Sequence, residues 1–182
     1  MAPPVRTSRE LWIDTGLELL ATEGPGAVRV EVLAQRLGVT RGGFYRQFGS
    51  RAELVDAMLD AWERRSIDDV RQRVESEGGD APRKARRAGM LTFAPALAPI
   101  DLAVREWARR DQAVAARLRR VDNRRMDYLR ELIATTSGDA GDVEARAMLA
   151  FSLVIGDHLI AADRFVGGRS RVLRDATRLI LG

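Results

Sequence analysis

Between Gly38 and Phe48 the chain reads GVTRGGFYRQF, which gathers a threonine, two arginines, a tyrosine and two adjacent glycines into eleven positions. These residue types suit a reader of polyanions. Arg41 can pair bidentately with guanine or hold a phosphate. Thr40 can donate its hydroxyl to a phosphate or present its methyl group to thymine. Tyr45 has a ring to pack and a hydroxyl able to reach a phosphate, and Arg46 and Arg51 are suited to phosphate oxygens. Phe44 and Phe48 read as inward anchors. Gly42 and Gly43 are the odd feature, since each glycine costs a helix roughly 1 kcal/mol relative to alanine. Glycine also brings the backbone close to a ligand, because no Cβ intervenes. The pair therefore reads as helix stability given up so that a helix can press into a DNA groove. On residue type alone, a plain turn and a piece of ordinary core also fit GG and FY.

The flanking elements have to position this stretch. Thr7 and Glu10 have capping-box spacing, and Ile13, Leu17, Leu20 and Ala21 then repeat along one helical face. GPG at 24–26 stops that helix. Val30, Leu33, Ala34 and Leu37 predict a two-turn amphipathic helix with Gly38 as its left-handed C-cap. Thr40 can cap a third helix that ends near Phe48 and Gly49. Ser50 and Glu53 form a second capping box, opening a longer helix with Leu54, Met58 and Trp62 on one face. Two short helices joined by a tight glycine-containing turn describe a helix-turn-helix, whose second helix enters the major groove.

The stretch from Leu11 to Leu59, with LLATEG and then VEVLAQRLGVTRGGFYRQFGSRAELVDAML, resembles the N-terminal domain of the TetR family of bacterial transcriptional regulators. The pattern is LA-x-x-LGV, T-x-G, FY, F and then S-[KR]-x-x-L, over about a quarter of the chain. The resemblance implies base or phosphate contacts from Thr40, Arg41, Gly42 and Gly43, and phosphate contacts from Tyr45 and Arg51. Two positions depart from the family pattern. Gly43 stands where threonine, serine or alanine is common, and Arg29-Val30 leaves the second helix without its usual cap and phosphate ligand.

Composition narrows the function classes. The 182 residues are 46% hydrophobic, enough to bury a core, and contain no cysteine and a single histidine. Disulfides and thiolate metal sites are thereby excluded, and little is left for a zinc centre or a Ser-His-Asp site. No Walker loop, H-E-x-x-H or G-x-S-x-G occurs, so no catalytic, metal or cofactor residues are assigned and no enzyme activity is expected. The net charge of +4 is a mild bias toward polyanions; residues 1–51 hold seven arginines against five acids. MAPPVRTSRE lacks the apolar core of a signal peptide. MLTFAPALAPI (90–100) carries two prolines and is too short to span a bilayer; it reads as a kinked, buried helical region. A cytoplasmic protein without membrane contact is expected.

The remaining chain predicts an all-α fold. A helix-turn-helix domain at 1–50 precedes a helical effector-binding and dimerisation domain at 51–182. Helical, arginine-rich sequence runs from about Leu102 to Thr135, and TTSGDAGD is a loop. Two last helices are expected over about Val143–Phe165 and Arg169–Leu181. Asp101 and Arg105, four apart, read as a surface ion pair. The TetR resemblance implies that the last two helices pair in a homodimer, with Phe151, Ile155, His158, Leu159, Ala162, Val172, Ala176, Leu179 and Ile180 as candidate interface; an intrachain core explains the same stripes. Met58, Trp62, Met90, Phe93, Leu97, Trp107, Met126, Tyr128 and Phe151 are candidates to line a cavity for a small apolar or aromatic effector, or are plain core. The expected function is a dimeric repressor that binds a double-stranded DNA operator and is released by such an effector. A regulator without an effector, and a helical ligand-binding module that does not bind DNA, remain as alternatives.

Overall fold

The computed structural model describes residues 7–181, which contain helices and no strand; MAPPVR, with Arg6, lies outside them. Helix α1 (Arg9–Glu23) is capped by Ser8, whose Oγ accepts from the Leu11 N–H at 3.2 Å. The cap sits one residue later than the Thr7–Glu10 spacing predicts. The helix ends at Gly24, at φ +81°, followed by a single 3-10 turn over Pro25–Ala27. Helix α2 (Val30–Arg36) starts at Arg29 without a side-chain cap. Its end is a Schellman motif: Val39 N–H donates to Ala34 O at 3.0 Å and Gly38 N–H to Gln35 O at 3.2 Å, with Gly38 at φ +64°. The left-handed turn lets α3 (Arg41–Tyr45) begin three residues later. Helix α4 (Arg51–Glu77) follows, with Ser50 Oγ accepting from Glu53 N–H at 3.1 Å.

Beyond these, α5 (Ala81–Thr92) is capped by Asp80, which accepts from Arg83 N–H. The helical, arginine-rich sequence from Leu102 to Thr135 forms two helices, α6 (Ala98–Ala108) and α7 (Gln112–Ala134). The break has a local cause: Asp111 accepts from the N–H groups of Ala113 and Val114 and starts a new helix. Residues 93–97 separate α5 from α6, so the 90–100 segment is a break rather than a kink. Helix α8 (Ala140–Leu159) ends six residues before Phe165, and α9 (Arg169–Leu181) is the last helix of the described residues.

By packing, the described residues fall into two compact units. One takes in residues up to Ser66 with Pro99–Leu118, the other Ile67–Ala98 with Arg119 onward. The opening turns of α4 carry Leu54, Met58, Leu59 and Trp62 in fully or nearly fully buried positions. In the first unit Met58 lies against Gly16 of α1, where a Cβ would come within 2.6 Å of its sulfur. Asp101 and Arg105 pair at 2.8 Å as their spacing predicts, but Asp101 is completely buried and the pair is not a surface one. The second unit has its own core, with Val70, Val74, Ala85, Ala88, Tyr128, Leu132, Ile133, Val143 and Ala147.

Candidate nucleic-acid interface

A helix of five residues cannot hold itself together in water, so α3 has to be anchored by its neighbours. Phe44 is fully buried and meets Trp12 of α1 edge to face at 5.4 Å, and Phe48, also buried, stacks on Phe44 at 5.4 Å. This aromatic trio fixes which side of α3 faces out. The outward side carries Thr40, Arg41, Gly42, Tyr45 and Arg46, all exposed, with Gly43 half-buried beside them. Tyr45 is 57% exposed, its ring edge to face with Phe44 at 5.2 Å and its hydroxyl end free to reach outward.

Thr40 occupies the N-cap position with an extended backbone, yet its side chain closes no cap hydrogen bond. Its hydroxyl is thus left for another partner, while the Gly43 N–H already donates to Thr40 O at 2.9 Å; helix N-termini favour anions. Arg41 reaches sideways to Glu31 in the first turn of α2, at 3.4 Å with both side chains mostly exposed. Such a pair contributes little and can be exchanged for a phosphate or a base. Arg51 is held more firmly: Nε donates to Val28 O at 2.5 Å and Nη2 to Pro25 O at 3.0 Å, tying α4 to the turn before α2. A phosphate contact from Arg51 has to compete with this tie.

The glycine pair is not required by the protein itself. A Cβ on Gly42 would meet only Thr40 Oγ1, at 3.6 Å, and one on Gly43 would meet Val39 and Trp12 at ordinary contact distances. Neither has a positive φ.

The other candidate residues are distributed over both units. Met58 and Trp62 are fully buried, Phe93 and Tyr128 nearly so, and Leu97, Trp107, Met126 and Phe151 are half-buried. Met90 is 68% exposed. Phe93 stacks on His158 at 5.0 Å. Tyr128 donates to Glu75 at 2.7 Å, and burial together with that carboxylate pushes its hydroxyl above the ordinary tyrosine range. In α8 and α9, Ile155, Ala176, Ile180 and Phe151 are half-buried, while His158, Leu159, Val172 and Leu179 are exposed. Ala162 lies in the non-helical connection, because α8 stops at Leu159. There Arg169 donates to the free carbonyls of Asp157, Ile160 and Ala162 and pairs with the Asp157 carboxylate.

Among the described residues no three His, Asp or Glu side chains come together as a metal site requires, and no helix is long and apolar enough to cross a membrane. Two residues with a bearing on the interface were not legible beforehand. Glu31 sits beside Arg41 through the fold of α2 against α3, and Arg9 reaches the end of α3 from 38 positions away.

Residues 13–58 match the family model described as bacterial regulatory proteins, tetR family. No curated protein matches the sequence. Among solved structures, the chain is similar to the TetR family transcriptional regulator PfmR from Thermus thermophilus, at 18% identity over 96% of each chain with a TM-score of 0.69. It is also similar to AibR in complex with isovaleryl coenzyme A and operator DNA, at 14% identity over 95% of this chain and 97% of that one, TM-score 0.69. The ketosteroid transcriptional regulator KstR2 of Mycobacterium tuberculosis aligns over 100% of this chain and 96% of its own, at 16% identity and a TM-score of 0.67. The helix-turn-helix of residues 13–58 is thus of the tetR family, carried in the fold of the TetR-family transcriptional regulators.

Proposed function

We propose that this protein binds a specific DNA operator as a homodimer and represses transcription until a small apolar or aromatic effector releases it. The observation that carries the DNA part is the outward side of α3. Thr40, Arg41, Gly42, Tyr45 and Arg46 stand exposed there, while Phe44 and Phe48 lock the opposite side into the core. Arg41 reads a base or holds a phosphate, Gly42 and Gly43 allow close approach, and Tyr45, Arg46 and Arg51 hold the DNA backbone. Two copies reading a near-palindrome place their half-sites a helical turn or a multiple of it apart.

Dimerisation is supported by the apolar side chains that α8 and α9 leave uncovered. Met148, Leu149, Leu159 and Val172 are exposed, and Leu179 is 86% exposed. A symmetric pairing of these two helices would bury them. Release by a small-molecule effector is supported by the likeness in fold to AibR, solved with isovaleryl coenzyme A and operator DNA; its apolar or aromatic character rests on the buried side chains of Met58, Trp62, Phe93 and Tyr128. The test of the DNA claim is selection of bound fragments from genomic DNA, followed by titration of the enriched site at several salt concentrations. A palindromic site with a steep salt dependence is expected. The absence of any salt-sensitive binding by the intact protein would overturn it.

A further inference from the structure

We propose that Arg9 and Glu53 are a positioning pair that sets the angle of the recognition helix by gripping the turn behind it; this rests on the DNA-binding reading of α3. The grip is built from three separate parts of the chain. Arg9, the first residue of α1, donates from Nη1 to the carbonyl of Gln47 and from Nη2 to Glu53 Oε1 at 3.0 Å. The other carboxylate oxygen of Glu53 accepts from the N–H of Gly49 at 2.7 Å. Between those two contacts lies Phe48, and the Arg9 guanidinium sits over its ring, 4.1 Å from the centroid. Gln47 returns the tie, its Nε2 donating to Thr7 O at 3.3 Å. The turn from Gln47 to Gly49 is therefore held by its carbonyl from α1 and by its N–H from α4, with one ion pair joining the two hands.

The chemistry suits the position. The guanidinium satisfies the carbonyl of Gln47, two residues past the last helical position of α3, and stands on the side of the negative end of that helix's dipole. Phe44 is the single buried residue within the five-residue helix, and Phe48, buried just beyond it, seats the turn that follows. Arg9 and Glu53 add polar holds on either side of Phe48, which fix the backbone of that turn and with it the C-terminal end of α3. The N–H of Gly49, and after it Arg9, hold the Glu53 carboxyl below the usual range, as expected for a carboxylate engaged on both oxygens. Arg9 and Glu53 are each nearly half exposed. Exposed pairs add little to global stability, so substituting them leaves the fold available for measurement.

Glu53→Gln separates positioning from simple surface electrostatics, because only positioning changes the ratio of operator to random-duplex affinity. If the cluster acts only through its charge, removing a carboxylate near DNA tightens binding to every sequence. If it positions α3, the ratio of operator to random-duplex affinity falls by about tenfold or more, the scale of one base contact, while random-duplex affinity holds or rises. Arg9→Gln should lower the same ratio, the double variant should lose no more than the worse single, and Arg9→Lys should restore part of it. Amide hydrogen exchange at Gly49 and across α3 in the DNA-free full chain should quicken in both single variants while the thermal midpoint stays put. An unchanged ratio in Glu53→Gln, or unchanged exchange at Gly49, overturns the proposal with the DNA reading intact. Failure of the unsubstituted protein to bind any duplex overturns the DNA reading itself, and the positioning role with it.

Discussion

At the scale of single residues, Gly42 offers the sharpest test of what α3 is for. The free protein has room for a methyl group there, with only Thr40 Oγ1 at 3.6 Å, and a helical glycine costs about 0.5–1 kcal/mol against alanine. Gly42→Ala should therefore raise the unfolding free energy by about that amount in urea titration. It should at the same time weaken operator binding, because the new methyl group stands between helix and DNA. A variant that gains stability and binds equally well would mean the glycine keeps no approach open. Arg41 carries the complementary expectation. Arg41→Ala should lose about 1–3 kcal/mol of operator affinity with relaxed preference at one base pair. Glu31→Gln, which frees Arg41 from its exposed partner, should tighten binding when the operator is titrated.

At the scale of elements, α3 depends on what it leans on. Phe44 makes the edge contact with Trp12 and the stack with Phe48. Phe44→Ala should cost about 3–5 kcal/mol and abolish operator binding, read by thermal unfolding and gel shift. The joint between α4 and α5 has a different chemistry. Glu77, the last residue of α4, accepts from Arg87 of α5 and from Arg73, which hold its carboxyl down to about 2. Because the folded value is depressed, its contribution is present above the ordinary value of 4.5 and is lost as the pH falls through about 2. Glu75, held by Lys84 and Tyr128, shifts in the same direction. Urea unfolding at pH 7 and pH 3 should show a smaller loss on acidification for Glu77→Gln than for the unsubstituted protein. An equal loss would mean the contact does not persist in solution.

At the scale of the whole molecule, the expectations concern assembly and release. Ile155→Glu or Ala176→Glu should shift a sedimenting dimer to monomer and remove most operator affinity, since one helix-turn-helix alone reads a single half-site. A monomeric unsubstituted protein at micromolar concentration would count directly against the dimer. An effector has to prefer the state that does not bind DNA, because equal affinity for both states shifts nothing. The usual coupling of ~1–3 kcal/mol corresponds to about 5–150-fold weaker operator binding at saturation. Trp62, fully buried on α4, supplies a fluorescence signal for screening, with Trp62→Phe as control. A compound that binds tightly but leaves operator affinity unchanged would end the induction model while leaving the DNA claim standing.

The sequence alone determined the helical class, the helix-turn-helix and the outward set on α3, because these depend on local signals: periodicity, a glycine turn and the chemistry of eleven neighbouring residues. The Asp111 break was also local and therefore legible in principle. Only the tertiary structure decided the rest. The spacing of Asp101 and Arg105 predicts their pairing but not that Asp101 is buried. The end of α8 at Leu159 follows from Arg169 capturing carbonyls as far as 12 positions back, where apolar spacing alone predicts a longer helix. Arg51 carries a family pattern for phosphate yet is turned onto the carbonyls of Pro25 and Val28. Arg9 meets Glu53 across 44 positions, and no periodicity reports a contact that exists only once α1, α3 and α4 have packed together.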